Sequence, residues 1–173
     1  MKKYIKSNSK SLFLAIAFSV AASIFAVRVQ FLKGDVLDYA LLKNMDNTLR
    51  YGFYLGVFII MELMSFYLYD INRGRFAVNS IKEVKQDYFK TLLTKDYPSF
   101  LKKKQGEYIA QYTNEMEIIE NQYFGTIPML AEIIIKIVIV SISLFILDYR
   151  IAIITLFLLT MPLYVPKLVE KRL

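Results

Sequence analysis

The sequence predicts an all-α membrane protein: four transmembrane helices with long helical extensions on the cytoplasmic side. Three observations carry this reading. Four apolar runs occur along the chain, each close to the about 20 residues that cross a bilayer. Charges gather between the runs, in residues 1–10, 33–50, 73–120 and the last few positions, rather than spreading as on a soluble surface. The runs are continuous rather than alternating, and a backbone exposed to lipid satisfies its hydrogen bonds within helices.

The first span is "SLFLAIAFSVAASIFAVRVQFL", residues 11–32, preceded by Lys2, Lys3, Lys6 and Lys10. A signal peptide has similar basic flanks, but its apolar core is usually about 7–15 residues, and further spans follow here. The second span is "YGFYLGVFIIMELMSFYLYDI" (51–71), the third "IPMLAEIIIKIVIVSISLFIL" (127–147) and the fourth "IAIITLFLLTMPLYVPKLV" (151–169). Asp148, Tyr149 and Arg150 form the turn between the last two, with Tyr149 suited to the interface. Gly52 and Gly56 have the Gly-x-x-x-Gly spacing of close helix packing.

Lysine and arginine set the orientation. Residues 73–104 carry nine basic side chains, whereas Lys33, Lys43 and Arg50 are balanced by Asp35, Asp38 and Asp46. The excess places the N-terminus, the middle segment and the basic C-terminus (Lys167, Lys171, Arg172) in the cytoplasm. The hairpins near 33–50 and 148–150 then face outward.

The middle segment, 72–126, is far longer than a turn requires. Phe76, Ile81, Val84, Tyr88, Leu92 and Leu93 lie mostly three and four apart, one face of a helix that continues the second span to about Tyr97, where Pro98 ends it. A second helix returns from about Gly106 with Ile109, Tyr112, Met116, Ile119 and Tyr123 on one side. At about 1.5 Å per residue, arms of about twenty residues rise roughly 30 Å, so the tip stands clear of the headgroups. Such a tip suits contact with another protein; a solvated, topology-anchoring cap is the alternative.

Several function classes lose support. With no Cys or His, thiolate chemistry, the usual general base and the commonest metal ligands are gone. The basic residues of the hairpin alternate with Glu83, Asp87 and Asp96 rather than forming a stripe for nucleic acid. Glu115, Glu117 and Glu120 read as a solvated surface, and no catalytic constellation emerges.

Charges inside the spans are costly unless paired or facing a wet interior. Glu62 has no partner at helical spacing, so it should look inward, toward a translocation cavity or a hydrogen bond from another span. Glu132 and Lys136 are four apart in the favourable order for an intrahelical ion pair, with a substrate role as the alternative. Arg28, near the outer end of its span, can snorkel.

"FLKKKQGEYIAQYTNEMEIIENQYF" resembles the first intracellular loop of the transmembrane domain of ABC exporters, closest to bacterial peptide, bacteriocin or multidrug exporters. An aromatic near the tip (Phe100), a glycine (Gly106), a helical stretch (107–113) and an Asn-acid pair (Asn114, Glu115) match that pattern. Glu115 stands where the family usually has aspartate, and Tyr112 where it usually has a basic residue. "LDYRIAIITLFLLTMPLYV" is similar to the junction of the third and fourth spans, with Pro162 as the late proline.

The resemblance implies that residues 99–105 form a coupling helix docking into a groove of an ATP-binding domain, fused or separate. Phe100 and Leu101 would be apolar anchors, with Ser99, Lys102, Lys103, Lys104 and Gln105 as the polar surround. Gly106 would allow a sharp bend or close approach of the partner backbone. It also implies a second transporter half, making a dimer in a bacterial inner or plasma membrane. ATP and Mg would bind in the nucleotide-binding domain, and no cofactor would bind in this chain. A family subunit has six spans followed by that domain. Four spans and no Gly-rich loop ending in Gly-Lys-Ser/Thr suggest a fragment, a truncated product or a split subunit. Two other readings remain: a small four-span scaffold or immunity-type protein whose hairpin recruits a different partner, and a channel with Glu62 in its pore.

Overall fold

The computed structural model describes residues 1–96 and 104–170. All the regular structure in them is helical: α1 (Lys2–Ser7), α2 (Ser9–Leu41), α3 (Met45–Leu93), α4 (Gln105–Ala110), α5 (Met116–Ile118), α6 (Thr126–Leu147) and α7 (Tyr149–Glu170). Two π-helical segments, Gln111–Glu115 and Ile119–Phe124, join α4, α5 and α6 into one rod. Three stretches are long and apolar enough to cross a membrane: Ser9–Leu41, Met45–Leu93 and Gly106–Leu147. α7 adds the apolar stretch Tyr149–Leu158. Large side chains stand bare along these rods, Phe13, Phe53 and Phe157 each about 70% exposed. Water would not tolerate so much contiguous apolar surface, whereas lipid and neighbouring helices do. The fold is that of an all-α membrane domain.

α2 and α3 form an antiparallel pair along much of their length. Ala15, Ser19, Ala22 and Ser23 of α2 are buried, as are Ser65, Tyr69, Asn72, Phe76 and Ser80 of α3. Small residues let backbones approach where lipid supplies no hydrophobic drive. Ser23 and Asn72 donate to carbonyls of their own helices, Ser19 at 2.8 Å and Leu68 at 2.7 Å, so these donors are satisfied. Gly52 and Gly56 contribute nothing of this kind: a Cβ on either meets no atom within 4 Å.

Three helix ends differ from the sequence expectation. The segment expected as a hairpin near 33–50 is almost wholly helical, and only residues 42–44 turn the chain. Lys43 takes a left-handed φ of 56°, and Asn44 caps α3 by accepting from Asn47 N at 3.2 Å. Charges alone do not stop a helix, and a single Gly34 costs only about 1 kcal/mol. α3 ends at Leu93 rather than near Tyr97; the Thr94 hydroxyl turns back to the carbonyls of Lys90 and Thr91 at 3.1 and 3.2 Å. Pro98 lies outside the described residues. Between α6 and α7 a single extended residue, Asp148, makes the turn and accepts from Arg150 N at 2.7 Å.

Candidate functional site

The lower half of α3 and the return rod pack into a hairpin with its own small core. Phe76, Ile81 and Val84 from α3 meet Met116 and Phe124, with Tyr88, Ile119 and Ile127 against them. The Phe76 and Phe124 rings, both fully buried, meet edge to face at 6.1 Å and 78°. Burying each such ring contributes about 1.5–3 kcal/mol. Nearer the tip, Tyr88 OH donates to Gln111 Oε1 at 3.0 Å and its ring lies 6.3 Å from that of Tyr112. Lys85 and Lys95 lie over the Tyr112 and Tyr108 rings at 5.9 and 5.2 Å. These contacts hold the two arms together as one projecting unit.

The return arm buries only part of the face its α-helical spacing predicts: Met116 lies in the core and Ile119 packs against it. Ile109, Tyr112 and Tyr123 are exposed, while Tyr108, Met116 and Phe124 are buried. The buried positions fall in equal steps, 108 to 116 to 124. The π segments explain this, because an i→i+5 turn takes more residues than an α turn and rotates the following face. Gly125 closes the second π segment, its N–H reaching Glu120 O at 2.8 Å. A Cβ there would lie 2.8 Å from Asn121 O, so a side chain would force the backbone to shift. Pro128, three residues on, has no N–H for the Phe124 carbonyl.

Of the expected coupling residues, Ser99, Phe100, Leu101, Lys102 and Lys103 lie outside the described residues. Lys104 is exposed and extended (φ −70°, ψ 149°), the residue before α4, and Gln105 opens that helix. Gly106 is an ordinary helical residue without positive φ, and a Cβ there meets nothing within 4 Å. Gly106 itself lies inside α4, so no bend falls at that residue.

Glu132 and Lys136 are brought together as an ion pair. Their setting is not confined to one helix. Lys136 Nζ lies 5.8 Å from the Phe66 ring centre, and Glu132 lies beside the Tyr69 hydroxyl and within the field of Arg73 on α3. Tyr69, almost fully buried, also donates to Pro128 O at 3.5 Å. The pair thus belongs to a polar cluster joining α3 to α6 just beyond Gly125. Sequence reasoning missed Tyr69, although its place four residues before Arg73 was a usable signal. Glu62 is half-buried and makes no hydrogen bond or ion pair among the described residues. It follows Phe58, whose ring meets Phe25 of α2 at 6.1 Å, by one turn, and precedes buried Ser65. Glu62 is therefore on the stripe turned toward α2.

Residues 12–173 match the family described as ABC transporter transmembrane region. Among curated proteins, the chain is 28% identical to the multidrug resistance-like ATP-binding protein MdlB of Buchnera aphidicola subsp. Acyrthosiphon pisum (strain APS), over 90% of this chain and 27% of that protein. It is 26% identical to the protein of the same name from Buchnera aphidicola subsp. Baizongia pistaciae (strain Bp), over 86% of this chain and 26% of that protein. The chain thus spans about a quarter of the length of these relatives. No solved structure matches. Helices built to cross a membrane, a projecting hairpin with its own core and a family match over nearly every residue agree: the chain belongs to the ABC transporter transmembrane region family.

Proposed function

We propose that this chain is the membrane-spanning part of an ATP-driven exporter. Four spans would line part of a translocation pathway, and the hairpin would couple them to an ATP-binding domain. The observation that carries the reading is the hairpin. Its arms continue directly from two long apolar helices and are locked together by the Phe76–Phe124 core. A force applied at the tip would therefore pass into both helices rather than dissipate in a loop. The family match and the MdlB relatives, named as ATP-binding proteins, support an ATPase partner. In this reading the N-terminus, hairpin and C-terminus are cytoplasmic, a second transporter half completes the pathway, and the membrane is a bacterial inner or plasma membrane. ATP and Mg belong to the nucleotide-binding domain.

Phe100 is the test. In the complete transporter, Phe100→Ala should remove an apolar anchor worth about 1.5–3 kcal/mol, lowering export per ATP hydrolysed while insertion stays normal. Lys103→Ala, at the rim, should do less. A cysteine at position 100 should crosslink to one in the groove of the ATP-binding domain. Unchanged coupling in Phe100→Ala, with no crosslink in any nucleotide state, would reject the assignment.

A further inference from the structure

The N-terminal helix α1 is fastened to the hairpin. At Asn8 (φ −102°, ψ 20°) the backbone leaves helical geometry between α1 and α2, and α1 lies against α3. Lys3 Nζ and Tyr4 OH both reach Asp87 Oδ2, each at 3.0 Å. Ser7 Oγ donates to Glu83 Oε1 at 2.8 Å, and Asn8 Nδ2 to the same oxygen at 3.0 Å. Glu83 and Asp87 are one turn apart on α3, and their two sets of partners are one turn apart near the N-terminus, so the contacts form two matched rungs. Behind the rungs, Tyr4, Ile5 and Leu12 pack against the hairpin core.

Lysines that served only to anchor topology would need no specific acid. Here Lys3 is aimed at one 84 positions away. A single exposed ion pair contributes little, so the rungs and the apolar contact act together. A six-residue helix does not hold its shape alone in water, so the helicity of α1 depends on docking.

We infer that α1 is a strap: it clamps the α3 arm through Lys3–Asp87 and Ser7/Asn8–Glu83, and its release frees that arm to move. That the arm drives transport rests on the exporter reading; the docking of α1 does not. The absence of native cysteine from the chain makes a crosslinking test clean. In membranes, Ser7→Cys/Glu83→Cys should be joined by a short bifunctional maleimide. Adding Lys3→Glu, which sets a second acid against Asp87, should abolish that product, and adding Asp87→Lys should restore it. In the chain without cysteines, Lys3→Glu should also speed tryptic cleavage after Lys85, with Asp87→Lys slowing it again. No crosslink although both thiols react with a monofunctional maleimide would overturn the strap. So would a crosslink indifferent to Lys3→Glu, or loss of the crosslink with cleavage after Lys85 unchanged. None of these readouts needs ATP or an ATP-binding domain, so they stand or fall apart from the exporter reading.

Discussion

Gly125 and Gly106 look equivalent on paper, each a lone glycine in a polar helix, yet their surroundings separate them. An alanine at 125 would press its Cβ against the Asn121 carbonyl, and that backbone atom has no room to swing aside. Gly125→Ala should therefore cost about 1–3 kcal/mol through strain, lowering the thermal midpoint of the detergent-solubilised protein. Gly106→Ala should stay near neutral, within about 0.5 kcal/mol, or gain slightly from helix propensity. Equal midpoints for the two variants would show that the π-to-α junction is not tight. Glu62 poses a different residue-scale question, since it is half-buried without a described partner. If Glu62 lines the proposed translocation pathway, both Glu62→Gln and Glu62→Leu should insert normally in the complete transporter but change export. Export indistinguishable from the parent in both would leave only a structural role.

At the scale of elements, the strap and the return arm show where sequence reasoning stops. The lower α3 stripe was legible as far as Tyr88, because α3 is a regular α-helix and Phe76, Ile81 and Val84 are buried at the spacing they show in the chain, whereas Leu93 at the helix end is exposed. The return arm was legible only at Met116 and Ile119, because its two π segments change the number of residues per turn without any change in hydrophobic pattern. Docking of α1 should have a characteristic pH response. Hydrogen bonds from Lys3 first, and then Tyr4, hold the Asp87 carboxyl below its ordinary pKa. Its contribution is present above the unfolded value and lost as pH falls through the lowered one. Lys3 is shifted up, mainly by its hydrogen bond to Asp87, so its contribution is present below its ordinary value and lost as pH rises through the raised one. A spin label on Lys6→Cys should stay equally immobilised between about pH 5 and 9 and loosen only toward the acid and alkaline extremes. A midpoint near neutrality would contradict the Lys3–Asp87 contact as the titrating pair.

For the whole molecule, the proposed orientation makes one decisive prediction. Single cysteines at Lys10, Asn44 and Lys103 should differ in reactivity with a membrane-impermeant thiol reagent in intact cells. Only Asn44→Cys should label before lysis. External labelling of Lys103→Cys would invert the topology and remove the hairpin from any cytoplasmic ATPase. The all-α membrane class, the long apolar helices and the family resemblance were readable from the chain itself. Lipid partitioning is decided segment by segment from length and apolarity, so those features need no knowledge of neighbours. Tertiary structure alone decided which side chains meet. It carried Lys3 to Asp87, set Tyr69 beside Glu132, left Gly52 and Gly56 in open space, and made Gly125 the position where a side chain would press on the backbone. Each of these depends on which helices lie side by side and on their phase, and a single π turn shifts that phase without leaving a mark in hydropathy.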